Sequence, residues 1–211
     1  MLKITEIFHS LQGESTLVGL PTVFVRLTGC PLRCGYCDSE YAFHGGERLS
    51  IAEICAKVAA QRTQYVTVTG GEPLAQPACH DLLRALCDAG YTVSLETSGA
   101  LDISSVDPRV IKVMDIKTPG SGEEARNRWA NIAHLTTEDQ AKFVLCSRDD
   151  YSYAKKIVNQ YALAERCQVL FSPVHNALDP ADLADWILGD HLPVRFQMQL
   201  HKVLWGDVAG R

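Results

Sequence analysis

Little in this chain of 211 residues points to a membrane, a secretory route or a nucleic-acid groove. No stretch approaches the roughly 20 apolar residues that span a bilayer. The opening Met1-Leu2-Lys3-Ile4-Thr5-Glu6 lacks the apolar run of a signal peptide. Lys and Arg number 20 against 25 Asp and Glu, a net charge of −5. A broad phosphate-binding surface needs the opposite balance, although a local basic pocket for a small anion stays open. Internal repeats, low-complexity tracts and long linkers are absent as well. The expectation is therefore a single domain over residues 1–211, cytoplasmic, with no membrane and no direct nucleic-acid partner.

What is present is ordinary in bulk and unusual in one loop. Hydrophobic residues make up 46% of the chain, enough for a core without staples. Eight cysteines allow four disulfides in principle. In a chain this long without a secretion signal, metal binding or catalysis is the stronger reading.

Short β-branched runs alternate with helical patterns. Strands are expected at 22–27, 65–69, 91–96, 110–116, 141–146, 167–171 and 194–199. Helices are expected after Ser50, with Glu53 completing a capping box, and at 77–89, 123–134, 149–164 and 180–188. Ile51, Ile54, Cys55, Val58 and Ala59 fall on one stripe of the first helix. The alternation implies an α/β fold with a mostly parallel sheet and right-handed crossovers, curled into an open or partial barrel. Function in such folds gathers at the carboxyl ends of the strands. The Gly- and Cys-bearing loops all follow strands, so one rim should carry them.

The loop Gly29-Cys30-Pro31-Leu32-Arg33-Cys34-Gly35-Tyr36-Cys37-Asp38 spaces three cysteines as C-x-x-x-C-x-x-C. An iron–sulfur cluster of four irons held by only these three thiolates keeps one iron open. An amine and a carboxylate on a small molecule, as in S-adenosylmethionine (SAM), can chelate it. A zinc site with His44 as fourth ligand competes, but such sites usually show a second Cys or Cys/His pair. An electron-transfer protein would normally close its cluster with a fourth thiolate. Cys55, Cys79, Cys87, Cys146 and Cys167 have no ligand spacing and read as buried small hydrophobes.

The C-x-x-x-C-x-aromatic-C loop, with Tyr36 as the aromatic, resembles the signature of the radical SAM superfamily. Thr69-Gly70-Gly71-Glu72-Pro73 after a strand resembles its G-G-E-P segment. Four further stretches narrow the likeness: Ser10-Leu11-Gln12-Gly13-Glu14, Cys37-Asp38-Ser39-Glu40-Tyr41, Glu96-Thr97-Ser98-Gly99 and Gln199-Leu200-His201-Lys202. Together they resemble the 7-carboxy-7-deazaguanine synthase family over most of the chain, and the short length matches that family's truncated barrel. The resemblance implies a carbon–nitrogen lyase of queuosine and deazapurine biosynthesis. It implies conversion of 6-carboxy-5,6,7,8-tetrahydropterin to 7-carboxy-7-deazaguanine with loss of ammonia, SAM acting as a regenerated cofactor and Mg²⁺ assisting.

The residue roles follow from the same resemblance. Cys30, Cys34 and Cys37 hold the [4Fe-4S] cluster. Tyr36, Cys37, Asp38 and Gly71 contact SAM, as do Asp115-Ile116-Lys117 and Ser172-Pro173-Val174-His175. Ser39 binds Mg²⁺ through a hard hydroxyl oxygen. Leu11, Gln12, Gly13, Glu14, Arg26 and Thr69 bind the substrate. Arg26 interrupts an apolar strand and must meet an anion or solvent; the resemblance gives it the substrate carboxylate. His201 hydrogen-bonds the substrate or moves a proton during ring contraction. The chain departs from the family at Ser15, where Gly is usual, and in the extension 203–211, which has no assigned role. The implied partners are a flavodoxin or ferredoxin reductant and a second copy of the chain in a homodimer. A glycyl-radical-enzyme activase shares the cysteine loop, but Leu11–Glu14 and Ser39 favour a small-molecule substrate. A non-catalytic metal-binding module leaves the Gly70–Pro73 segment and Arg26 without a role.

Overall fold

The computed structural model describes residues 1–206, 208 and 210. Nine strands form a single sheet among the described residues. They are β1 (Leu2–Leu11), β2 (Pro21–Leu27), β3 (Glu47–Leu49), β4 (Tyr65–Gly70), β5 (Thr92–Thr97), β6 (Ile111–Asp115), β7 (Gln140–Leu145), β8 (Gln168–Pro173) and β9 (Arg195–Phe196). Their order is β3-β1-β2-β4-β5-β6-β7-β8-β9. From β2 through β9 every pairing is parallel. β1 runs antiparallel to β2 and β3. The two ends of the sheet do not pair, so the barrel is partial.

The helices are α1 (Ile51–Ala59), α2 (Cys79–Asp88), α3 (Arg148–Gln160), α4 (Pro180–Gly189) and α5 (Leu200–Trp205). Each of the four longer ones buries an apolar stripe. The capping box of α1 is formed, with Ser50 and Glu53 each bonding the other's backbone amide. Asp179 caps α4 with Pro180 in its first turn.

Period-two alternation assigns each strand two faces. Val23, Val25 and Leu27 of β2, Val66 and Val68 of β4, Val93 and Leu95 of β5, and Ala141, Phe143 and Leu145 of β7 join one core. Each fully buried Val or Leu contributes about 1.5–3 kcal/mol. The other parity is mostly polar or charged, with Arg26, Thr67, Thr69, Ser94, Glu96 and Lys142 alongside the apolar Phe24 and Val144. That face is the inner wall of the partial barrel.

Three expectations need correction. Residues 123–134 form two short 3-10 turns, Glu124–Arg126 and Trp129–His134, and not an α-helix. Asn127 brackets the backbone of Lys117 with both amide atoms, and the Asn131 amide donates to the carbonyls of Gly99 and Leu101. These bonds to backbone remote in sequence fix the segment in short turns. The last strand shrinks from 194–199 to Arg195–Phe196, because the Gln197 side chain turns toward Ser15 and α5 begins at Leu200. Of the five cysteines outside the loop, Cys79 and Cys167 are buried, whereas Cys55, Cys87 and Cys146 are half-buried. All eight are free thiols.

β1 and β3 had no expected counterpart. A bulge between Ile4 and Glu6 shifts the register of β1. Leu2 and Ile4 stay in the core, while Phe8 stacks on Phe24 at 4.9 Å on the inner wall.

Candidate active site

Every chemically loaded loop leaves a strand at its carboxyl end and meets in one cavity of about 720 Å³. The loop after β2 brings Cys30, Cys34, Tyr36, Cys37, Asp38 and Ser39 to it, and the end of β4 brings Gly70 and Gly71. Lys117 follows β6, and Val174 and His175 follow β8. The turn after β1 brings Leu11, Gln12, Gly13 and Glu14, and α5 brings His201 and Lys202.

The thiol wall is built by backbone. The Glu72 amide donates to the Gly29 carbonyl at 2.8 Å, locking the Gly70–Pro73 strap against the cysteine loop. A Cβ on Gly71 would lie 2.3 Å from the Gly29 oxygen and 2.8 Å from the Cys30 Cβ. Gly70 adopts φ +146°, and its Cβ would meet the Leu27 backbone at 2.3 Å. Only glycine lets these two chains pass. Glu72 points away from the cavity, accepting bonds from Thr97 Oγ1, Ser98 N, Ser98 Oγ and Leu74 N. It pins the end of β5 to the strap, which gives the Glu96–Gly99 stretch its structural part.

Burial raises the three loop thiols, and for Cys34 the Lys117 ammonium opposes the rise. Among the described residues they do not converge with other ligand groups on one ion-sized point. Spread around one cavity rim, they suit a group larger than a single ion. His44 is exposed and outside the lining, so the fold does not bring it to the thiols.

Around the thiols, Tyr36 donates to the Val144 carbonyl at 3.4 Å, and burial raises its phenol. Desolvation raises the Asp38 carboxyl, but the Ser39 hydroxyl, Lys142, Lys202 and Arg26 outweigh it and hold it low. Lys117 pairs with Asp115 at 3.0 Å. Asp115 Oδ1 and Ser172 Oγ are buried without a hydrogen-bond partner among the described residues. Neither residue lines the cavity. The expected SAM stretches are only partly at the wall. Ile116 is in the core, Ser172 is fully buried, and Pro173 faces an adjoining groove. Strand alternation turns Ile116 and Pro173 away while Lys117 and Val174 face in.

The opposite wall is built by side chains. Arg26 is not unpaired: its Nε donates to Glu6 at 2.7 Å, its Nη1 reaches Ser39 Oγ at 3.4 Å, and the rings of Phe8 and Tyr41 flank it. Tyr41 donates to the same Glu6, and burial, opposed by the Arg26 charge, pushes its phenol up to about 12. Gln12 donates to Thr67 and Glu96 and accepts from the Glu14 amide. Thr69 donates to Glu96 at 2.8 Å. Burial raises the Glu96 carboxyl. Glu14 is paired with Lys142 and accepts from Gln199 at 2.7 Å. Burial works against the Lys142 ammonium, but Glu14, Asp115 and Glu96 together raise its pKa. His201 packs on Gly13 so closely that a Cβ there would overlap the imidazole, and burial lowers its pKa.

Sequence reasoning missed Glu6, Lys142 and Gln197, and it quoted Glu96 and Gln199 within family-like stretches without giving them a role. The signal that found Arg26, a charge inside an apolar run, was also present for Lys142 in Ala141-Lys142-Phe143-Val144. Of the extension 203–211, Gly206, Val208 and Gly210 line the cavity, while Asp207, Ala209 and Arg211 lie outside the described residues.

A partial parallel barrel with three loop thiols and a Gly-Gly strap at its rim defines a radical SAM domain, and the model of the radical SAM superfamily matches residues 24–115. The chain is 45% identical to the 7-carboxy-7-deazaguanine synthase of Chlorobaculum tepidum, over 99% of this chain and 96% of that protein. It is 42% identical to the 7-carboxy-7-deazaguanine synthase of Koribacter versatilis, over 97% of each. The chain belongs to the 7-carboxy-7-deazaguanine synthase family, and it is a radical SAM enzyme. The crystal structure of QueE from Escherichia coli shares the fold, with TM-score 0.77 at 21% identity over 95% of this chain and 94% of that one. Membership implies SAM and an iron–sulfur cluster, and the thiol wall fits both.

Proposed function

We propose that this cavity converts 6-carboxy-5,6,7,8-tetrahydropterin into 7-carboxy-7-deazaguanine and ammonia. The observation that carries the reading is the facing of the two walls: thiols and a glycine strap on one, an amide, carboxylates and a guanidinium on the other. The product and ammonia together contain every atom of the pterin, so the chemistry is a rearrangement without net oxidation. With a cluster on Cys30, Cys34 and Cys37, SAM supplies the radical that takes hydrogen from the carbon bearing the carboxylate.

The chain's own residues hold the substrate for that step. Arg26 binds the pterin carboxylate, its Nε already fixed by Glu6 so that the fork is pre-oriented. Gln12, Glu14 and Glu96 read the donor and acceptor edge of the ring. Glu96, held toward its neutral form by burial, can donate a bond where Glu14 accepts one. Ser39, Tyr36 and Asp38 sit between the walls. There Ser39 Oγ is the hard oxygen that would hold a Mg²⁺, and the ion would supply positive charge for the substrate carboxylate. His201, largely neutral because burial lowers its pKa, is suited to accept a proton as the ring contracts.

The same reading places the enzyme in the cytoplasm as a homodimer fed by a flavodoxin or ferredoxin, and its product on the route to queuosine in tRNA. The direct test is an anaerobic assay with reconstituted protein, SAM, Mg²⁺ and a low-potential reductant. Mass spectrometry should find 7-carboxy-7-deazaguanine. SAM cleavage without that product overturns the substrate and keeps the radical chemistry. Omission of Mg²⁺, or Ser39→Ala, should raise the pterin KM while the cluster spectrum stays unchanged.

A further inference from the structure

Ser15 is fully buried, not a glycine, and yet left-handed, with φ +66°. A side chain rarely adopts that conformation unless its surroundings over-determine it. The surroundings are specific. The Ser15 amide donates to Gln197 Oε1 at 2.7 Å, and Gln197 Nε2 donates to the Ser15 carbonyl at 2.8 Å. One side-chain amide thus satisfies both backbone polar groups of a residue 182 positions away. Gln197 is itself anchored, its backbone amide donating to the Phe171 carbonyl of β8.

The neighbouring contacts point the same way. The Gln140 side chain accepts from the Thr16 amide at 2.9 Å and donates to Thr16 Oγ1 at 2.8 Å. Leu200 N donates to the Gly13 carbonyl, and Gln199 donates to Glu14. The turn that presents Gln12 and Glu14 to the cavity is therefore shaped from outside, by β7 and by the segment entering α5.

We propose that Gln197 is a positioning residue for the substrate-binding turn: its amide clamps Ser15 in the left-handed conformation that aims Gln12 and Glu14 into the cavity. Glycine would take this conformation without help. Here the serine takes it because Gln197 holds both its backbone groups. The proposal rests on the substrate reading above.

The test uses cluster-reconstituted wild type, Gln197→Leu, Gln197→Glu and the double variant Gln197→Leu with Ser15→Gly. Amide hydrogen exchange is read without substrate, and pterin KM, kcat and SAM affinity are read separately. In Gln197→Leu, two buried backbone groups lose their partners, so exchange at residues 12–16 and the pterin KM should both rise about tenfold or more. SAM affinity, exchange in β4 and β5, and kcat to within about threefold should hold. Gln197→Glu keeps the acceptor and loses the donor, so it should fall between the two. Ser15→Gly in the Gln197→Leu background should recover most of the KM, because glycine needs no clamp.

Unchanged exchange at 12–16, or an unchanged KM despite a loosened turn, overturns the proposal. So does a uniform rise in exchange with a matching loss of SAM affinity, which marks a general structural role. A wild-type protein that loosens locally on Gln197→Leu but never turns over the pterin removes the substrate reading and leaves the clamp standing.

Discussion

The two walls of the cavity are built in opposite ways. The thiol wall takes its three thiols from one short loop, and its shape is set by backbone passing backbone where only glycine fits. The pterin wall is made by side chains that meet across the whole fold: Glu14 reaches Lys142 over 128 positions and Gln199 over 185. The first wall is sterically exact and electrically simple. The second is sterically forgiving but electrically coupled, since Lys142 answers to Glu14, Asp115 and Glu96 at once. Substitutions should therefore fail in different ways on the two sides.

The largest separation is expected at the thiols. Cys34→Ala should remove turnover by roughly a thousandfold or more together with the cluster's visible absorption. A half-buried thiol is a small loss of packing, so the melting temperature of the unloaded protein should change little. Next comes Lys142→Met, which leaves Glu14 and Glu96 desolvated without their cation. Urea unfolding should show a loss of about 3–5 kcal/mol, and cluster binding should survive in whatever fraction folds. If Lys142→Met costs nothing, the electrical coupling of the pterin wall is misassigned.

Arg26→Ala should raise the pterin KM by about 10- to 100-fold with SAM affinity unchanged; an unchanged KM removes the carboxylate assignment. Gly71→Ala should show the mirror image. Its Cβ would fall 2.3 Å from the Gly29 oxygen, so SAM affinity should drop roughly tenfold while free pterin binding is spared.

The smallest effect is a pH dependence. Burial lowers the His201 pKa, so below about 6.5 the unfolded chain takes up the proton before the folded one does. Stability associated with His201 is therefore intact above that pH and declines as pH falls toward the lower folded value. Thermal melts from pH 7 to 5 should show a slightly steeper fall for wild type than for His201→Gln.

The contrast also explains what was legible in advance. The strand–helix rhythm, the partial barrel and the thiol loop were readable because each is a local pattern: β-branched runs, a capping box at Ser50, three cysteines in one loop. β1 was hidden because its bulge between Ile4 and Glu6 breaks the alternation that marks a half-buried strand. The helix expected at 123–134 failed because Asn127 and Asn131 are spent on distant backbone, a tertiary fact with no local signature. Gln12 and Glu14 came from family resemblance, and Arg26 was marked as well by its charge inside an apolar strand. Their partners Glu6, Lys142 and Gln199 were not assigned, because which groups pair across the sheet leaves no trace in spacing. Ser15 is instructive here: the sequence marked it only as a departure from glycine, and the fold supplies the amide that makes the departure workable.

The central claim is that the two walls face each other closely enough for chemistry on SAM to act on the pterin. The most direct measurement is an anaerobic turnover with pterin deuterated at the carbon bearing the carboxylate, followed by mass spectrometry of the recovered SAM and 5′-deoxyadenosine. The expected result is deuterium in the adenosyl group, together with 7-carboxy-7-deazaguanine. Product formed with no deuterium in that group would contradict the account, because the hydrogen would then have left by a route that does not cross the cavity.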